Sequence, residues 1–185
     1  SEFTCIALLP FNNTTDSPEA QGIFSDLVAV ELYRSKRFNI LESSEVERIL
    51  ELQGMSLDGS LDQESARRIG AILGVDGVVF GSVSEYGFRN LSRKAKAVPV
   101  AGIHAALLDV KKGGILWSGE AWENGFDLTL SHRMPLSEVA QLVSRKLLHQ
   151  LISGFPEREV KPGKVCWKEA GTLTLAKKVE VAIQR

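Results

Sequence analysis

The residue pattern predicts an α/β domain: a mixed sheet with helices packed on both faces. Two strand-length apolar runs, Cys5–Leu9 and Val75–Val83, are too continuous for a sheet with one wet face, and helical patterns lie between them. Val100–Val110 instead alternates, and Lys111-Lys112-Gly113-Gly114 joins it to Ile115–Trp122 as a hairpin, so part of the sheet is antiparallel. The 185 residues, 44% of them hydrophobic, suit one domain over 1–156. The charged, proline-containing stretch after it begins a linker and tail over 157–185, whose short alternations suit a strand-adding arm.

Each element has a local signal. The first strand runs from about Thr4 to Pro10, where proline stops it, and a polar loop over Phe11–Pro18 leads to a helix from about Glu19 to Lys36. Ile23, Leu27, Val30 and Tyr33 trace that helix's apolar face. A short strand at Phe38–Leu41 precedes two box-like helix starts, Ser44-x-x-Glu47 and Ser60-x-x-Gln63, with stops at Gly54 and Gly74. Val75–Val83 then reads as a buried central strand, broken by a basic, polar stretch over Ser84–Pro99. A long helix from Pro135 to Gly154 follows, with Val139, Leu142, Val143, Leu147 and Leu151 in its stripe.

The chemistry-bearing patterns are sparse. No Walker loop, dinucleotide fingerprint or Gly-x-Ser-x-Gly elbow occurs, and Ser82 reads as a small strand residue. His104, His132 and His149 fall on a strand, a loop and a helix, without metal-ligand spacing. No catalytic group, metal or cofactor is therefore expected. With 22 basic and 23 acidic residues the net charge is −1, which does not favour nucleic acid, and the apolar runs fall short of a membrane-spanning helix. Two cysteines, Cys5 and Cys166, are too few for a disulfide framework; Cys5 falls in a buried strand, where a free thiol is the favoured expectation over a bridge.

A partner surface is the remaining class of site. Its candidates are Phe11, Asn12 and Asn13 in the loop after the first strand, the basic cluster Arg89, Arg93, Lys94 and Lys96, and Trp122, which the spacing from Trp117 places on the other face of its strand. The polar run Asn12–Asp16 also suits a small-ligand pocket.

Read together, Ile6-Ala7-Leu8-Leu9-Pro10-Phe11-Asn12-Asn13, Phe38-Asn39-Ile40-Leu41-Glu42, Gly74–Val83 and Leu107–Ser118 resemble the family of the curli secretion lipoprotein CsgG, the penicillin-binding-protein activator lipoprotein and the amino-terminal domain of TolB. The resemblance covers about residues 4–155. It implies a noncatalytic periplasmic domain of an outer-membrane lipoprotein, anchored by a lipidated cysteine upstream of Ser1, which is its route to the membrane. It also implies other envelope proteins as partners, with self-association into a homo-oligomer, in an assembly or regulatory role. A secretion-channel subunit is the alternative, but the basic stretch over 84–100 lacks the apolar face of a spanning hairpin, and 119–134 is too short for two spanning strands.

Overall fold

Strand β1 (Cys5–Leu8) leads through the two-residue strand β2 (Asn12–Asn13) to helix α1 (Ala20–Ser35) and strand β3 (Asn39–Leu41). Helices α2 (Ser43–Leu52) and α3 (Gln63–Leu73) come next, then three long strands, β4 (Gly77–Arg89), β5 (Val98–Asp109) and β6 (Ile115–Asn124), and finally helix α4 (Leu136–Ser153). The computed structural model describes residues 3–57, 61–93, 96–126, 134–155 and 166, so the expected tail over 157–185 lies outside the described residues except for Cys166.

All the strands form one mixed sheet in the order β3-β1-β4-β5-β6, with β2 beside β4. β1 pairs with β3 and β4 in parallel, as β2 does with β4, while β4, β5 and β6 are antiparallel. Alternation along each strand sends side chains to two cores. Ile6, Leu8, Val79, Ile103 and Leu107 pack with α1 and α4; Ala7, Leu9, Val78 and Leu108 pack with α2 and α3. The second pair of helices covers only the β1 side of its face. His104, Ser118, Glu120 and Trp122 therefore lie exposed on the antiparallel half.

The helices depart from the sequence reading in instructive ways. The buried face of α1 is Phe24, Val28, Ala29 and Leu32, whereas Val30 and Tyr33, expected inside, are exposed. Apolar residues surround this helix, so periodicity does not select a face; the large Phe24 and Leu32 settle against the sheet and α4. Helix α2 does not use its expected box. Helix α2 begins after Glu42, and the Ser43 hydroxyl donates to the Leu8 carbonyl at the end of β1. Helix α3 is capped by Asp62, whose carboxylate accepts from the Ser65 N–H at 2.7 Å; Ser60 lies outside the described residues. Gly74 does end α3, in the left-handed conformation that favours glycine.

The pole where the parallel strands begin is heavily fastened. Asp76 Oδ2 accepts from the N–H groups of Thr4 (2.9 Å) and Cys5 (2.8 Å), tying the chain's entry to the start of β4. Phe38 stands edge-on to both Phe3 and Phe155, joining the first residues to the end of α4. Cys5 is bridged to Cys166, contrary to the free thiol expected from its burial. The two sulfurs are 161 positions apart in sequence, and α4, which ends at this pole, brings the chain back towards its start.

Candidate functional site: a groove at the far pole

The opposite pole is built around one irregularity. Strand β4 does not stop at Val83 but runs on to Arg89, and its register with β5 shifts between Val83 and Glu85. Ser84 is the extra residue of a β-bulge, and the bulge reverses which face each later residue takes. Val79 and Val83 face α1 and α4; after the bulge Tyr86 does so instead, edge-on to Phe24 at 5.7 Å. Glu85 is thereby delivered to the open face, opposite Gly102 and next to Trp122.

Glu85 joins candidates that are unconnected in sequence. Its Oε2 accepts from the Trp122 indole N–H and its Oε1 from the Arg89 guanidinium, both at 2.6 Å. Gly102 makes the seat, since a Cβ there would stand 2.8 Å from the Ser84 hydroxyl and 3.0 Å from the Trp122 ring.

Beside this cluster, a groove of about 450 Å³ is lined by Thr14–Ser17, Ser84–Arg89 and Val100. Its polar wall is set by the Asn13 side chain, which accepts from the Thr15 N–H and hydroxyl and donates to the Ser17 carbonyl. The Ser17 hydroxyl reaches across to the Tyr86 carbonyl at 3.1 Å. Burial raises the Tyr86 phenol above its ordinary value, and the charge of Glu19 adds to the shift, so Tyr86 stays a neutral donor.

The sequence candidates divide accordingly. Phe11 is wholly buried in the core and is no part of an accessible surface; the residue after Pro10 turns inward, and its carbonyl is held by the Gln21 amide at 2.7 Å. Asn12 and Asn13 pair with Ser82 and Val83 as β2, half-buried at the groove's end. Arg89 and Trp122 meet through Glu85, Arg93 and Lys96 lie exposed in the connection to β5, and Lys94 is outside the described residues. Phe88, 68% exposed, with Leu91 and Phe126 also exposed at this pole, is the feature the sequence reading missed. The bulge hides it: an alternating apolar pattern that changes parity at Ser84 no longer reads as one strand.

Another pair emerges on the open face. The Ser82 hydroxyl lies 3.0 Å from His104 Nδ1, and Glu120 is opposite His104 on β6. Both side chains project from the middle of a sheet whose neighbouring amides are engaged in strand pairing, so the row resembles a cross-strand polar pair rather than a nucleophile beside an oxyanion site. Among the described residues, no group of three or more His, Cys, Asp or Glu residues is placed to hold a metal ion.

The family model for the curli production assembly/transport component CsgG matches residues 4–111, more than half of the chain. The chain belongs to the CsgG family. Among solved structures, it is similar to the PelC dodecamer from Paraburkholderia phytofirmans, at 20% identity over 78% of this chain and 85% of that one, with a TM-score of 0.54. Lipoprotein GNA1162 from Neisseria meningitidis is similar at 19% identity over 81% of this chain and 99% of that one, with a TM-score of 0.55. The C-terminal domain of LpoB from Salmonella enterica follows at 19% identity over 65% and 82%, with a TM-score of 0.50. No curated protein matches the chain in sequence. These likenesses establish a shared α/β fold.

Proposed function

We propose that this chain is the noncatalytic, periplasmic module of an outer-membrane lipoprotein, anchored upstream of Ser1, and that it works in an envelope assembly by protein contact. Membership of the CsgG family supports the envelope, and the Cys5–Cys166 bridge carries the compartment, because such bonds persist where the surroundings are oxidising. The likeness to GNA1162, described as a lipoprotein, favours the anchor; that to PelC, solved as a dodecamer, favours contacts between copies.

The working surface is the far pole. There Phe88, Leu91 and Phe126 are exposed beside Arg89, Arg93 and Trp122, a mixture of aromatic and arginine side chains that suits an interface. Chain entry and the disulfide lie at the other pole, so an anchor upstream of Ser1 leaves this surface free to face a partner.

Cell fractionation with alkylation of free thiols tests the reading. The full-length protein is expected with the outer membrane, its two cysteines oxidised. Recovery from the cytosol with both thiols free would overturn it.

A further inference from the structure

We infer that the far-pole groove is a strand-addition site, which takes an extended segment of a partner protein carrying an aliphatic residue next to a lysine or arginine. The inference rests on the reading of this pole as a protein-contact surface, and it names the form and chemistry of what binds.

The first ground is an unpaired backbone edge. β4 has β5 along its whole length on one side, but on the other it has β1 at Gly77–Val79 and β2 at Ser82–Val83 only. From Ser84 to Arg89 no strand flanks that side among the described residues. The Ser17 hydroxyl on the Tyr86 carbonyl shows which way the backbone points there, and by alternation the N–H and C=O of Phe88 face the same side. Those are the groups with which a peptide strand forms a ladder.

The outer edge of β6 is differently treated. Gln150 of α4 donates its side-chain amide to the Glu120 carbonyl at 3.0 Å, and Lys146 pairs with Glu123, so that edge is guarded by its own helix. Among the described residues, the β4 edge beyond Val83 carries the short hydroxyl of Ser17.

Gly87 supplies the second ground. Among the described residues, a Cβ built on it meets nothing within 4 Å, and its φ is not positive, so neither their packing nor a special backbone angle requires glycine there. Glycine inside a strand costs stability unless something approaches closely, and here it leaves a bare floor beside the buried Val100. An aliphatic side chain of an added strand fits that floor.

Charge sets the neighbouring residue. Of the ionised groups lining the groove, Glu85 and Arg89 satisfy each other, which leaves the exposed Asp16 carboxylate to favour a cation on the incoming segment. Phe88 and Tyr86 offer that cation's stem an aromatic wall.

The test selects a phage-displayed library of linear twelve-residue random peptides on the folded, disulfide-intact chain. The expected outcome is enriched peptides that share an aliphatic residue beside Lys or Arg. Gly87→Leu should weaken them at least tenfold, and Asp16→Lys should weaken them severalfold. Phe88→Ser, at an exposed position that does not threaten folding, should also weaken them. N-methylation of the peptide at alternate residues should abolish binding in one parity and spare the other, the signature of ladder bonding. No enrichment, equal binding to all three variants, or indifference to N-methylation would overturn the proposal. Each of these results leaves the envelope reading standing, since fractionation decides that separately.

Discussion

The two poles of the sheet solve opposite problems. At the pole where the parallel strands begin, the disulfide, the Asp76 carboxylate and the Phe3, Phe38 and Phe155 rings bind the first and last described parts of the chain together. At the other, among the described residues, a strand edge is left unpaired, three large apolar side chains are exposed, and a strand glycine has open space above it. If the proposed groove does the recognition, the fastening and the recognition lie at opposite poles, and substitutions should separate the two properties cleanly.

Cutting the tether should give the largest effect. Cys166→Ser is expected to cost about 4 kcal/mol, because the bridge closes a loop of most of the chain, and a denaturant midpoint with and without reductant measures it. If the poles are independent, the variant keeps its peptide affinity wherever it is folded. Asp76→Ala should cost about 2–3 kcal/mol by leaving the Thr4 and Cys5 N–H groups without their charged acceptor, again with affinity intact. A loss of groove binding in either variant would break the separation.

Phe88→Ser should do the converse. The side chain is exposed, so the change should move stability by less than about 0.5 kcal/mol while weakening association. Thermal melts paired with light scattering distinguish the two. The smallest effect concerns the start of α3, the helix whose other end closes on the fastened pole. Bonding to the Ser65 N–H lowers the Asp62 carboxyl below its ordinary value. Its contribution is therefore complete above the ordinary carboxylate range and is lost as pH falls through the lower folded value. Acid titration of Asp62→Asn should show a shallower stability loss at low pH and no change in binding.

Legibility in the sequence followed the range of the interactions. The hairpin turn at Lys111–Gly114 and the stop at Gly74 were readable because a few adjacent residues decide them, and Gly113 indeed takes a positive φ of 78°. The inward face of α1 was not, because its apolar residues surround the helix and only the sheet and α4 choose among them. The length of β4 was hidden by a single bulged residue, and with it the exposure of Phe88 and the delivery of Glu85 to Trp122. Arg89 and Trp122 were each legible as interface types; their convergence required three strands in register. The disulfide was least legible, since burial of Cys5 argues for a quiet thiol and its partner lies 161 positions away.

The most direct test of the polar division is site-specific photocrosslinking of the full-length protein in its own cells, with a benzoylphenylalanine in place of Phe88 or of Tyr33, an exposed residue on α1. The account predicts adducts with another envelope protein or a second copy from position 88 and none from position 33. Adducts from position 33 with none from position 88 would contradict it.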